Sequence, residues 1–256
     1  MNVKLISITQ PMLESTVPQQ NQTTAEEIIV YCARVSNPKN QMNMDTAPKL
    51  LKFLIKHKHW SPFELANMCV EIKTSRAIAA QILRHRSFSF QEFSQRYSDA
   101  TGFEDTSLRK QADKNRQSSE EEINPTLPAD YKNITALVAV RDHFHKGKKL
   151  YDELIEEGVA RECARMVLPL GTQTTMYMNG TVRSWIHYLQ LRTKENTQKE
   201  HRDIANAIKY FFIKCFPWTS EALNWNPQGW TKQELEEMGW EKFQSFHLKS
   251  NESTHE

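Results

Sequence analysis

Glycine is scarce in this chain, at 7 residues of 256. No GxGxxG or GxxxxGKS/T run occurs, so neither common nucleotide-binding loop is signalled. No CxxC pair occurs either. Cys32, Cys69, Cys163 and Cys215 lie far apart and are expected to be free, buried thiols in a reducing cytoplasm. His57 and His59, and His143 and His145, form HxH pairs without partners at metal-ligand distances, so no metal site is expected. The opening MNVKLISITQ has no basic region followed by an apolar core, and no signal peptide is expected. No apolar run approaches the roughly 20 residues a membrane helix needs. Charge of one sign is lacking too, with a net charge of +2. That argues against a nucleic-acid coat or a membrane-surface protein, so an anion site has to come from local clustering. No internal repeat is present.

A chain of this length can bury a sizeable core. Val3 and Leu5, then Ile6 and Ile8, alternate with polar neighbours and read as a strand whose alternation slips by one at Leu5–Ile6. Leu50, Leu51, Leu54 and Ile55 have helical spacing within 46–59, and Pro62 marks the following turn. Met68, Val70 and Ile72 alternate as a strand over 67–73, and Thr74 or Ser75 is a plausible N-cap for the Ala-rich helix after it. Residues 98–128 are polar and aperiodic, read as a loop that is either disordered or a lid. Helical patterns follow over 131–157 and 159–169, ending at Pro169. Residues 172–181 suit a strand. The stretch 181–192 reads as a helix with Val182, Trp185 and Leu189 on one stripe, and Ile204, Ile208, Phe211 and Cys215 mark another helix before Pro217. These elements predict an α+β fold, with helices packed on a central, mostly antiparallel sheet. A domain over 1–220 and a C-terminal extension over 221–256, frayed at SNESTHE, are expected.

The richest chemistry lies in RHRSFSFQEFSQRY, residues 84–97. It begins at the end of a predicted helix and continues into a predicted loop. Arg84, Arg86 and Arg96 are interleaved with Phe88, Phe90, Phe93 and Tyr97, and Glu92 is the one acid. Guanidinium groups bind phosphate through paired donors and stack on rings. If the segment folds back, the three arginines can face one anion, with Ser87, Ser89 and Ser94 adding hydroxyls. Arg84 and Arg86 could equally answer a helix dipole, but that leaves Arg96 and the rings unexplained. A base-stacking nucleic-acid module is the rival reading, and near-neutral charge counts against it. Arg161 with Arg165, and Arg183 with His187, stand four apart on predicted helices, where a solvated salt-bridged face is the ordinary explanation.

The segment RHRSFSFQEFSQR matches RHR-x-x-S-x-x-x-x-S-x-R and resembles the signature of flavin-dependent thymidylate synthases. CARVSNP, HWSPFE at 59–64, QILRHR, ARMVLP at 164–169 and VRSWIHYLQLR at 182–192 resemble further family blocks in family order, over about residues 30–220. The resemblance implies synthesis of dTMP from dUMP. The methylene would come from methylenetetrahydrofolate and the hydride from reduced FAD, regenerated by NADPH. It implies a homotetramer whose sites draw residues from several subunits. Ser61, Arg84, His85, Arg86, Glu92, Thr181, Arg183 and His187 would then hold FAD. Gln81, Arg84, Glu92, Ser94, Gln95, Arg96, Arg165 and Arg192 would hold dUMP, with Arg192 catalytic in polarising the uracil. His59, Tyr97 and Asn196 would lie near flavin and folate. Thr181 stands where many members carry Asn, and Asn196 where many carry His.

The family route needs no protein nucleophile. Replacing Cys32, Cys69, Cys163 or Cys215 singly with Ser should therefore leave dTMP synthesis largely intact apart from packing losses. A variant that folds and binds FAD yet loses all turnover would identify a thiolate mechanism instead.

Overall fold

Met68, Val70 and Ile72 alternate with Cys69, Glu71 and Lys73, and this stretch forms a central strand of the sheet. The computed structural model describes residues 1–13, 24–98, 102–105, 107–128, 131 and 133–225. Strand β2 (Asn67–Ser75) pairs antiparallel with β1 (Asn2–Ile8) and with β6 (Gln173–Thr181), and β3 (Ser89–Glu92) pairs antiparallel with the far side of β6. The order is β1-β2-β6-β3. Met68 faces Gly180, Val70 faces Met178 and Ile72 faces Met176 across the β2–β6 pair, which sets one apolar face toward the helices. The slip at Leu5–Ile6 has a physical counterpart. The β1–β2 register shifts between Leu5 and Ser7, so Ile6 is the extra residue of a bulge.

Helices α1 (Ala25–Ala33), α2 (Ala47–Lys56), α3 (Arg76–Ile82), α4 (Ala136–Glu156), α5 (Arg161–Ala164), α6 (Val182–Arg192), α7 (Lys199–Cys215) and α8 (Pro217–Ala222) complete the α+β architecture. Val182, Trp185 and Leu189 are all fully buried, as the stripe on α6 predicts. The Trp185 indole N–H donates to the Met68 carbonyl at 2.9 Å, which ties α6 to β2 through a satisfied polar atom. Ser75 is the N-cap of α3, accepting from the Ile78 N–H at 3.4 Å, while Thr74 is buried in the strand. At Gly180 a Cβ would stand 2.3 Å from the Phe88 ring, so only glycine allows that ring to lie over β6. Phe88 in turn packs edge-on to Trp185 at 4.7 Å.

Several elements depart from the sequence reading. The expected loop after RHR contains β3, because Ser89–Glu92 finds backbone partners on β6. The expected loop over 98–128 holds a hairpin of β4 (Arg109–Gln111) and β5 (Ser119–Glu122). With β5 exposed along its whole length, no apolar alternation marks it. The 159–169 pattern is one turn, α5, followed by a 3-10 turn at Arg165–Val167. The long helix starts at Ala136, later than 131. The cysteines are free, but Cys163 is exposed and the others are half-buried. Helix α8 runs across residue 220, and Trp225 meets Phe212 at 5.6 Å. The SNESTHE tail lies outside the described residues.

Glu26 in α1 is almost fully buried and caps the start of α8. Its carboxyl accepts from the Trp218 N–H at 3.0 Å and the Thr219 N–H at 2.7 Å. Burial pushes its pKa up from 4.5 to about 7 despite the bonds to Thr219 and Trp218 that favour the carboxylate. The native state thus keeps a proton that the unfolded chain releases above 4.5. This contribution to stability is full below that pH and is lost as pH rises through about 7. Glu26→Gln removes the titration. The fall in unfolding midpoint between pH 5 and pH 8 should be smaller in the variant than in the parent, and an equal fall would show that Glu26 does not carry it.

Candidate active site

Helix α6 carries site residues at both ends. At its start, Thr181 is the N-cap, and its hydroxyl accepts from the Ser184 N–H at 3.2 Å. Arg183 pairs with Glu64, and His187 meets Trp60 edge-on at 5.0 Å. Ser61 opens the 3-10 turn Ser61–Glu64, so Ser61, Thr181, Arg183 and His187 come together at one place. Burial and the Arg183 charge hold the His187 imidazole below its usual pKa. His59, just before this turn, is exposed and packs against Phe53 and His57 at 6.0 and 6.1 Å.

At the other end, Arg192 does not simply answer the helix dipole. Its Nε donates to His85 Nε2 at 2.9 Å. That bond needs an unprotonated acceptor. Burial, Arg192 and Arg84 together push the His85 pKa down to about 4, so the ring is neutral over the working pH range. Tyr188 packs edge-on to His85 at 4.8 Å, and its hydroxyl lies 3.1 Å from His201 Nε2. His201 Nδ1 lies 3.4 Å from Gln81 Oε1. Gln81 and His85, and Arg192 far from both in sequence, thus converge on a buried pair that the sequence reading missed. Nothing in a lone buried histidine distinguishes it from core packing before the fold is known.

A third group forms around Glu162. Arg96 Nη2 pairs with its carboxylate at 3.1 Å, and Arg165 Nε donates to its carbonyl at 3.4 Å. The Arg96 side chain is 56% exposed, so this pair is solvent-screened and readily exchanged for another anion. Ser94 Oγ accepts from the Arg96 N–H at 3.4 Å. Gln95 is buried, and its Nε2 has no hydrogen-bond partner among the described residues. Glu92 accepts from Thr174 Oγ1 at 2.9 Å and pairs with Arg76 at 3.3 Å. Tyr97 is exposed.

Arg84 and Arg86 are exposed, with no ion pair among the described residues. Arg84, Arg86 and Arg96, expected to face one anion, have no shared partner among the described residues: Arg96 turns to Glu162 while the other two stay just past α3. Asn196 follows α6 and precedes α7. With Arg109, Arg116, Gln198 and Arg202 it lines a cavity of about 330 Å³ between the β4–β5 hairpin and the start of α7.

Comparison with known proteins adds relatives to this geometry. A family model described as "Thymidylate synthase complementing protein" matches residues 19–218. A protein of Paramecium bursaria Chlorella virus 1 named "Probable flavin-dependent thymidylate synthase" is 51% identical over 226 residues, covering 88% of this chain and 100% of its own. A Synechocystis protein named "Flavin-dependent thymidylate synthase" is 48% identical over 225 residues, with the same shares covered. Among solved structures, a UMP/dUMP methylase, PolB, from Streptomyces cacaoi bound with 5-Br UMP superposes with a TM-score of 0.68 at 24% identity, covering 87% of this chain and 93% of that one. At that identity the likeness speaks for the fold.

The Arg96–Glu162–Arg165 group makes a direct prediction. Arg96→Ala or Arg165→Ala should weaken binding of a nucleoside monophosphate roughly ten- to a hundredfold, the scale of one lost charge-assisted bond. Equilibrium titration checks it, and unchanged affinity in either variant removes that residue from the phosphate site.

Proposed function

The chain belongs to the thymidylate synthase complementing protein family, and from that premise we propose that it is a flavin-dependent thymidylate synthase, converting dUMP to dTMP. The observation that carries this reading is the Arg192–His85 bond, which holds a permanent cation against a neutral imidazole of the RHR signature. Carbon 5 of uracil is a weak nucleophile while the ring is neutral. Loss of the N3 proton pushes electron density toward it. A fixed guanidinium beside that edge stabilises the charge as it develops, and arginine remains charged at any working pH. No carboxylate pairs with Arg192 among the described residues, so its field is left for the ring.

Ser61, Arg84, His85, Arg86, Glu92, Thr181, Arg183 and His187 would hold FAD. This donor set suits it, because exposed guanidinium groups and a capped helix start answer a pyrophosphate. Reduced FAD supplies the hydride when bound. Gln81, Arg84, Glu92, Ser94, Gln95, Arg96, Arg165 and Arg192 would hold dUMP, and the orphan Gln95 Nε2 is a buried donor such a ligand would satisfy. Methylenetetrahydrofolate is the proposed carbon donor and NADPH the proposed reductant, with His59, Tyr97 and Asn196 near flavin and folate. A route without a protein thiolate is supported by the cysteines. Burial pushes the Cys215 thiol up to about 12, with the Glu26 charge adding to it, and burial raises Cys32 and Cys69 as well.

A homotetramer in the cytoplasm completes the proposal. The site residues of one protomer fall into separate groups, around Trp60, His85 and Glu162, which other copies could bring together. No helix among the described residues is long and apolar enough to cross a membrane.

The purified protein should show a flavin absorbance spectrum and form dTMP from dUMP. Arg192→Ala should keep the flavin and lose dTMP formation by at least about 100-fold, the scale of one transition-state donor. Arg192→Lys should restore little, since a point charge does not reproduce the planar fork. Single-turnover assays with pre-reduced flavin measure this. A near-parental rate in the Ala variant would assign the activation elsewhere.

A further inference from the structure

One chain of hydrogen bonds leads from the β4–β5 hairpin to Gln81, and its direction is set at Glu200. An ionised carboxylate only accepts. Burial works to raise the Glu200 pKa, but bonds from its own backbone, from Arg109 and from Gln198 hold it below the ordinary value. Arg109 Nη2 donates to Oε1 at 2.6 Å, and Gln198 Nε2 donates to Oε2 at 2.9 Å. With its amino group turned to Glu200, Gln198 presents its carbonyl Oε1 to Gln81, whose Nε2 donates at 2.6 Å. The Gln81 carbonyl then faces His201 Nδ1, which must carry the proton. His201 Nε2 is left with a lone pair for the Tyr188 hydroxyl at 3.1 Å. No link can be reversed alone without setting donor against donor or acceptor against acceptor. His201 and Tyr188 are buried, so such a mismatch could not be repaired by water. Burial, Arg192 and His85 push the His201 pKa down to about 3, which keeps the ring neutral, and the Gln81 carbonyl facing Nδ1 decides which nitrogen holds its single proton.

We propose that His201 and Glu200 are positioning residues that lock the Gln81 carboxamide so that it offers the nucleotide an N–H and never its carbonyl oxygen. Gln81 Nε2 carries two hydrogens. One is held by Gln198, and the second remains for an oxygen of dUMP. Gln81 is half-buried, within reach of a ligand, whereas His201 has no exposed surface and can act on a ligand only through a neighbour such as Gln81. The inference rests on the reading that Gln81 binds dUMP.

The test is a double-mutant cycle on the flavin-loaded enzyme, read as dUMP affinity by equilibrium titration. His201→Phe keeps a ring in place and removes both bonds. Glu200→Gln releases the direction of the chain without touching the buried pair, and serves if the first variant folds poorly. Each should weaken dUMP binding roughly three- to tenfold, the scale of one neutral hydrogen bond. His201→Asn, which can still donate from the Nδ1 position, should recover most of the loss. Combined with Gln81→Ala, neither variant should weaken binding further than Gln81→Ala alone. Additive losses would overturn the inference and leave the dUMP site standing, as would unchanged affinity in both single variants. Unchanged affinity in Gln81→Ala itself would instead remove Gln81 from the dUMP site, and the inference with it.

Discussion

The antiparallel pairing of β2 with β6 is the constraint on which the site depends. Each strand runs directly into a helix, β2 into α3 at the Ser75 cap and β6 into α6 at the Thr181 cap. The register sets Ser75 opposite Gln173 and Asn67 opposite Thr181, so the two helices spring from opposite ends of the pair. They come together again where His85, just past α3, accepts from Arg192, the last residue of α6. A slip of one residue would turn the alternate side chains of β2 or β6 over. It would also displace one helix start against the other and separate that pair. Trp185 guards the register from the helix side through its bond to the Met68 carbonyl, and the Phe88 ring, over Gly180, fixes the segment between α3 and β3.

Two arginines of the site, Arg96 and Arg192, are held by different kinds of partner. Arg96 is exposed and meets a carboxylate, an arrangement of little net stability that an incoming phosphate can replace. Arg192 is half-buried and meets a neutral imidazole. Desolvating a guanidinium is costly, and the His85 lone pair offsets part of that cost without neutralising the charge. Burial, with the Arg192 charge adding to it, keeps His85 and His201 unprotonated. Both histidines have pKa values depressed from 6.5, so their contribution to stability is present above that pH and is lost as the pH falls toward about 4 and about 3.

Local patterns were legible where local physics governs. The alternation in β2, the apolar stripe on α6 and the slip at Leu5–Ile6 each follow from side-chain period and surfaced as structure. β3 was not legible, because an edge strand so short is defined by its backbone partners on β6 rather than by its own pattern. The β4–β5 hairpin was hidden for the opposite reason: with β5 exposed throughout, it carries no apolar period to read.

The RHR signature and the helix blocks around it determined, without any fold, which residue types gather at the site, because guanidinium, hydroxyl and ring chemistry belongs to the residues themselves. What they could not determine is who meets whom. His201 reads as an ordinary core histidine, and Glu162 as a surface acid. Only the folded chain places His201 behind Gln81 and Glu162 between Arg96 and Arg165. The Gln81–His201 contact spans 120 residues of sequence and joins α3 to α7, so no local pattern encodes it.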